Sequence, residues 1–211
     1  MKCVILLSFI EAWTPDFVRS AAAGYDYLIC ADGGEMIAAQ LGLQPDCVVG
    51  DFDSDRTTER FDCLYITYPA EKDLTDSEAA LLHAVERGCR DITVIGGIGG
   101  RLDHTVGNIA MLLKFAKDVD HLEFRDGNNA MFLLTNGEAM LHPSDDYKYF
   151  GLWSIDPVAT GVTITGAKYP LANAVLPRDT TLGISNEITG SAAHIIVRDG
   201  TVLVMRSRDH R

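Results

Sequence analysis

Short apolar runs alternate with helical patterns through roughly the first 120 residues. The chain opens on Met1–Ile10, whose apolar stretch ends at Glu11, and this predicts a buried first strand. Thr14-Pro15 supplies an N-cap followed by a first-turn proline, and Gly24 ends that helix. Tyr27–Ala31 reads as a second buried strand. A helix over 35–41 follows and stops at Gly42, then strands at 47–49 and 63–67. Thr75-Asp76-Ser77-Glu78 has the form of a capping box, starting a helix that runs to Arg87 with Gly88 as its stop. Ile92–Ile95 is strand-like, and Val106, Ile109, Ala110, Leu113 and Lys117 give a helical stripe with a polar end. Apolar strands separated by capped helices predict a mostly parallel sheet, Rossmann-like, with helices on both faces.

The pattern changes near Asp126-Gly127-Asn128-Asn129. Beyond it come short strands with turn punctuation and no long helix. Asn136-Gly137 predicts a hairpin between 130–134 and 138–141, and Asp199-Gly200 a second between 193–197 and 201–205. Val162–Thr165 alternates in period two. The fold class expected is therefore α/β plus β: an N-terminal domain over 1–126 and a C-terminal antiparallel β-sandwich over 127–211.

Bulk properties narrow the partners. With 211 residues, 47% hydrophobic and 23% charged, the chain has the composition of a soluble globular protein. A net charge of −12 argues against nucleic acid, whose phosphate backbone needs a basic footprint. It leaves room for a small phosphorylated ligand, because a bound cation can neutralise ligand and carboxylates together. Met1–Ile10 is short and lacks a small-residue cleavage site, so it is not read as a signal peptide. No stretch is apolar enough to span a bilayer, and no membrane partner is expected. The five cysteines are scattered and odd in number, which fits reduced structural thiols in a cytoplasmic protein.

Two acidic clusters and a glycine turn carry the chemistry. Gly50-Asp51-Phe52-Asp53-Ser54 follows a strand, and Lys72-Asp73-Leu74-Thr75-Asp76 precedes a helix. Ala31-Asp32-Gly33-Gly34 and Gly96-Gly97-Ile98-Gly99-Gly100-Arg101-Leu102-Asp103-His104 each follow a strand as well. In open α/β sheets ligands bind beyond the C-terminal strand ends, so these segments gather on one rim. Carboxylates there suit Mg²⁺, with Asp51 or Asp53 and Asp73 or Asp76 each giving an oxygen; Asx turns and helix caps explain the same aspartates without a metal. The glycine turn is neither a Walker A loop nor a dinucleotide fingerprint. Arg101 beside it can fork phosphate oxygens, and the helix that follows favours anions at its N-terminus. Asp103 reads as a cap for that helix or as a group orienting Arg101 or a ligand. His104 fits a general base or a structural histidine, and Lys72 a phosphate contact or a solvated charge. Gly183–Glu187 reads as a turn or a small-molecule contact. Trp153 and Tyr169 are aromatic candidates for which burial is expected.

Taken together, these segments resemble the thiamine pyrophosphokinase family. Gly166-Ala167-Lys168-Tyr169-Pro170-Leu171 and Ile184-Ser185-Asn186-Glu187 extend the resemblance into the second half. It implies an ATP-binding catalytic domain, a thiamine-binding β-sandwich, and a homodimer with thiamine bound between subunits. The implied reaction moves the pyrophosphoryl group of ATP to the thiamine hydroxyl, with Mg²⁺ as cofactor. Carried across, Asp51, Asp53, Asp73 and Asp76 fall in the Mg²⁺ and phosphate region. Asp32, Gly33, Lys72, Gly99, Gly100, Arg101 and His104 hold nucleotide, Asp73, Asp103 and Arg101 lie at the reacting centre, and Ser185 and Asn186 meet thiamine. Two segments depart from the family pattern. The first strand runs into Ser8-Phe9-Ile10-Glu11 instead of a small glycine-containing loop, and Phe150–Ile155 is divergent. Rival readings are a phosphatase using Asp51 as nucleophile within Asp-x-Asp, and a thiamine or nucleotide sensor without turnover.

Overall fold

A computed structural model describes residues 1–50, 61–67 and 73–209 of the chain. Met1–Gly127 and Asn128–Arg211 form two compact units. The first begins β1 (Lys2–Leu6), α1 (Pro15–Ala21), β2 (Tyr27–Ala31), α2 (Gly34–Leu41) and β3 (Cys47–Gly50). It continues β4 (Leu64–Thr67), α3 (Asp76–Glu86), β5 (Asp91–Ile95), α4 (Leu102–Phe115) and β6 (His121–Arg125). Its strands lie in the order β6-β5-β1-β2-β3-β4, every adjacent pair parallel. The chain adds β2, β3 and β4 on one side of β1, then returns to add β5 and β6 on the other. The sheet therefore reverses between β1 and β5, which opens a crevice outside the ends of those two strands.

Side chains alternate across this sheet with period two. Val4, Leu6, Leu28, Cys30 and Val48 pack on one face against Val18 of α1 and Ile37, Ala38 and Leu41 of α2. Tyr27 points to the opposite face, where it meets His83 of α3. Helix ends follow their sequence signals. Thr14 accepts the Phe17 N–H at 3.1 Å ahead of Pro15, and Gly42 closes α2 with φ +65°. Only half of the capping box forms. Thr75 Oγ1 accepts the Glu78 N–H at 3.2 Å, whereas the Glu78 carboxylate turns away to pair with Lys114.

The stripe predicted on α4 points the wrong way. Asn108, Leu112 and Phe115 are its buried residues, while Val106 is 64% exposed and Leu102 76% exposed. Helical periodicity fixed the element but not its inward face, because α4 carries apolar residues on two sides.

The second unit contains β7 (Asn129–Thr135), β8 (Glu138–Leu141), β9 (Tyr149–Ser154) and β10 (Val158–Thr165). β11 (Leu171–Pro177), β12 (Asn186–Glu187), β13 (Ala193–Ile196) and β14 (Thr201–Ser207) complete it. Pairing is antiparallel throughout, in two layers ordered β12-β9-β14-β7 and β11-β10-β13-β8. Leu134, Phe150, Leu152, Val202 and Val204 from one layer close a core with Leu141, Val162, Ile164, Ala193 and Ile195 from the other.

Neither predicted hairpin is a hairpin. β7 pairs with β14 and β8 with β13, so Asn136-Gly137 and Asp199-Gly200 each carry the chain from one layer to the other. The turn chemistry is as expected, with Asn136 at φ +45° and Gly200 at φ +110°. The two turns also bind each other, Asn136 Oδ1 accepting the Gly200 N–H at 2.8 Å. Leu134 and Leu141 on either side of the first turn both need the core between the layers, and pairing β7 with β8 would not supply it.

All five cysteines are free, and four are buried. Burial pushes the Cys47 thiol up to about 12, so it stays protonated and unreactive. Among the described residues no helix is long and apolar enough to cross a membrane.

Candidate active site

A cleft of about 730 Å³ lies in the first unit, at the crevice where the sheet reverses. Leu7 and Phe9 reach it from the end of β1, Asp32 from the end of β2, and Gly97, Gly99, Gly100 and Arg101 from beyond β5. Leu74 to Ser77 line it from the segment that enters α3, and His104 and Asn108 from α4. The convergence expected from separate strand ends is thus present for Asp32, Asp76, the glycine turn, Arg101 and His104.

Backbone conformation builds much of this surface. Asp32 (φ +49°) and Gly33 (φ +76°) are left-handed, which bends the chain sharply between β2 and α2. A Cβ at Gly34 would sit 2.0 Å from the Leu6 carbonyl oxygen, so only glycine lets α2 start so close to β1. Asp32 is oriented by Ser8, whose hydroxyl donates to Oδ2 at 2.8 Å. In the glycine turn, Thr105 Oγ1 accepts the Gly99 N–H at 3.0 Å and donates to the Gly99 carbonyl at 3.2 Å.

Arg101 is the N-cap residue of α4, and its own side chain makes no capping hydrogen bond. Asp103 is not the N-cap residue, yet its side chain takes a first-turn N–H and holds Arg101 at once. It lies inside the first turn, where its carboxylate accepts Arg101 Nε at 3.1 Å, Arg101 Nη2 at 2.6 Å and the His104 N–H at 3.0 Å. The fork from Arg101 holds the Asp103 carboxyl below its ordinary range, and the same pairing raises Arg101. A carboxylate held in this way is a weak proton acceptor.

Asp76 lines the cleft, and Asp73 is exposed just before the Thr75 cap. Asp51, Asp53 and Lys72 fall outside the described residues. Among the described residues, no group of three or more His, Cys, Asp or Glu side chains is placed to hold a metal ion. The donors in and beside the cleft, Asp32, Asp73 and Asp76, are nonetheless hard carboxylate oxygens, which suit a magnesium ion in kind.

Asn108 was missed in the sequence. It is buried, donates Nδ2 to the Gly97 carbonyl at 2.7 Å, and accepts the Ser77 hydroxyl at 3.1 Å on Oδ1. One amide thereby ties the glycine turn to the first turn of α3. A polar residue on the same helical face as Leu112 and Phe115 is the signal, masked by the apolar stripe on the outward side.

The second unit has its own cavity of about 460 Å³, lined by Tyr149, Phe150, Ile184, Ser185, Arg208 and others. Ser185 is exposed there with φ +60°. Asn186 is buried and engaged internally, accepting the Tyr169 N–H at 3.0 Å and donating to the Tyr169 carbonyl at 2.7 Å. It holds the Lys168-Tyr169 loop, in which Lys168 pairs with Glu187 at 2.8 Å. Tyr169 is 55% exposed, against the expected burial. Trp153 is half-buried, with its indole N–H on the Arg178 carbonyl at 2.8 Å.

Comparison with known proteins gives one consistent result. The family described as "Thiamin pyrophosphokinase, catalytic domain" matches residues 18–123, and "Thiamin pyrophosphokinase, vitamin B1 binding domain" matches 139–202. A relative from Bacillus subtilis (strain 168), "Thiamine pyrophosphokinase", is 33% identical over 187 residues, covering 86% of this chain and 87% of the relative. The crystal structure of a thiamine pyrophosphokinase from Bacillus subtilis superposes with a TM-score of 0.89 at 30% identity, over 100% of both chains. That of a thiamin pyrophosphokinase from Geobacillus thermodenitrificans gives 0.85 at 32% identity, over 99% of this chain and 98% of that one. By sequence and by fold, the chain belongs to the thiamine pyrophosphokinase family.

Proposed function

We propose that the first unit binds ATP in the cleft at the sheet reversal and that the second binds thiamine, dividing the chain near 1–126 and 127–211. The activity that comes with the family is transfer of the pyrophosphoryl group of ATP to the thiamine hydroxyl. The alcohol oxygen forms a bond to the β-phosphorus, the bond from that phosphorus to the oxygen on the α-phosphorus breaks, and AMP leaves. Thiamine diphosphate is the other product.

The observation that carries this reading is the pairing of two unlike helix ends in one cleft. Arg101 and the start of α4 offer donors to phosphate oxygens, and α3 brings Asp76 to the same cleft. Asp32, Gly33, Gly99, Gly100 and His104 complete the nucleotide side, with Lys72 as a further phosphate contact. Asp51, Asp53, Asp73 and Asp76 would hold Mg²⁺, which supplies charge neutralisation for the triphosphate. The protein then contributes positioning and electrostatics, with no covalent intermediate. Asp73 is the better candidate to take the alcohol proton, because Asp103 is committed to Arg101. Ser185 would meet thiamine from its cavity, and Asn186 would set the loop beside it.

A homodimer belongs to the same reading, and the exposed apolar side of α4 at Leu102, Val106 and Leu113 supports it. A cytoplasmic location is part of it too, in keeping with the free cysteines. Mixing the protein with Mg-ATP and thiamine, then separating products by chromatography, tests the activity. AMP and thiamine diphosphate should appear together and only when thiamine is present. Phosphate release from monoesters without thiamine would favour the phosphatase, and tight binding with no AMP would favour a sensor.

A further inference from the structure

We propose that Phe9 is the platform on which the adenine ring of ATP stacks, an inference that rests on the cleft being the nucleotide site. Phe9 follows β1 by three residues, at the sheet reversal itself. Its carbonyl accepts the Gly97 N–H at 2.9 Å, so its backbone is pinned to the glycine turn. Its ring lies with the outer edge against Gly100, where an added Cβ would fall 2.7 Å from Phe9 Cζ. The missing side chain at Gly100 is what leaves room for this ring.

Exposure separates Phe9 from its neighbours. Leu7 and Ile10 are each 6% exposed and belong to the core, whereas Phe9 is 46% exposed and lines the cleft. It is the one benzene ring among the described residues that line it. Among the other side chains that line the cleft, Asp32, Asp76 and Arg101 are charged and suit the phosphate end of a nucleotide. An open aromatic ring beside a phosphate-binding turn is what a nucleobase needs, since every base offers a π-face and stacking requires no hydrogen-bond match. The departure of the first loop from a glycine-containing sequence then has a role. Ser8-Phe9 orients Asp32 and supports the base, and phosphate contacts are left to the turn after β5.

Three probes test this with Mg²⁺ present throughout: ADP, inorganic tripolyphosphate and the full reaction. Phe9→Leu keeps apolar packing against Gly100 but removes the π-face, and Phe9→Tyr retains it. In calorimetry, Phe9→Leu should bind ADP about tenfold more weakly, with Phe9→Tyr close to the parent. Tripolyphosphate, which has no base, should inhibit parent and both variants alike. In turnover the loss should appear in KM for ATP, with kcat and KM for thiamine unchanged. Unaltered ADP binding by Phe9→Leu would overturn the proposal. So would a parallel loss of tripolyphosphate inhibition, which would mean that the ring only props the turn, or a loss confined to thiamine. Should the parent bind ADP but release no AMP from ATP and thiamine, the pyrophosphokinase reading fails while the stacking result stands by itself.

Discussion

Helices α3 and α4 present their N-termini to the same cleft but are finished differently. α3 is capped: Thr75 accepts the Glu78 N–H, and Asp76 in its first turn adds a carboxylate where the helix dipole favours one. α4 starts at Arg101, which makes no capping bond of its own, and Asp103 inside the first turn takes the His104 N–H while it holds Arg101. Each end thus gives one first-turn N–H to a side chain, and what differs is the charge set beside the remaining donors, a carboxylate on α3 and a guanidinium on α4. The cleft therefore has an acidic lip on α3 and a donor-rich, basic lip on α4. That asymmetry matches a ligand with a cation on one side of its phosphates and hydrogen-bond donors on the other.

Removing the basic lip should have the largest effect. Arg101→Ala should lower kcat/KM by about 10²–10³, the usual loss of a donor aimed at developing charge. Arg101→Lys should recover only part, since an ammonium cannot fork two oxygens. Both side chains of the Arg101–Asp103 pair are mostly exposed, so the melting temperature should stay put. On the acidic lip, Asp76→Asn should also cut turnover, but in a way that raised Mg²⁺ partly restores. If Mg²⁺ rescued Arg101→Ala equally, the two lips would not differ as described. Steady-state assays across a Mg²⁺ series make the distinction.

The bridge between the lips comes next in size. Asn108 joins Ser77 on α3 to the Gly97 carbonyl, and its amide is buried. Asn108→Ala leaves both partners short of a hydrogen bond, at a cost of about 1–3 kcal/mol in urea unfolding. KM for ATP should rise with it, because the glycine turn loses its anchor. Loss of stability without a change in KM would show that the turn holds itself.

What could be read in advance was the part of the site made of backbone. Asp32-Gly33, Gly96-Gly97 and Gly99-Gly100 take conformations that few residues accept, so their positions are visible as residue types. Their placement after strands gave the rim. Features set by side-chain direction were not legible. The inward face of α4 was chosen by Asn108, Leu112 and Phe115 although Val106 and Leu113 look equally apolar. Asn136-Gly137 announced a tight turn correctly, yet a turn does not say whether its flanking strands pair or part into two layers. Ser185 and Asn186 are adjacent in a strand-edge motif, but only one faces the cavity while the other holds Tyr169. In each case the deciding contact comes from residues distant in sequence.

A smaller effect separates the two caps directly. Thr75→Ala removes the acceptor for Glu78 N–H and should cost about 1 kcal/mol of stability, read as a lower urea midpoint. Thr75 also contacts Ser77 at 3.0 Å and lines the cleft, so a modest rise in KM for ATP should accompany it. Arg101 makes no capping bond of its own, so Arg101→Ala should leave the midpoint where it was. Equal destabilisation by both substitutions would mean that Arg101 caps α4 through some contact other than its side-chain fork to Asp103.

The buried faces of the two helices differ as well, and here the expected effect is smallest because it is confined to acid pH. α4 buries a neutral amide at Asn108, whereas α3 buries His83 against Tyr27, with Nε2 3.1 Å from the phenol oxygen. Burial and the nearby Arg87 push His83 below its ordinary value of 6.5, outweighing Glu86. Burial raises Tyr27 to about 12, so its hydroxyl keeps its proton and can donate to the neutral imidazole. Protonating His83 would turn that acceptor into a donor. The unfolded chain takes up the proton near 6.5 and the folded chain only at lower pH, so the unfolded state binds more protons in between. Stability must then fall as pH drops below about 6.5 and level off beneath the folded value. Urea midpoints at about pH 7.5 and about pH 5.5 should differ for the parent and differ less for His83→Gln. The same acid loss in both proteins would move the titrating group elsewhere and leave α3 and α4 alike in their cores.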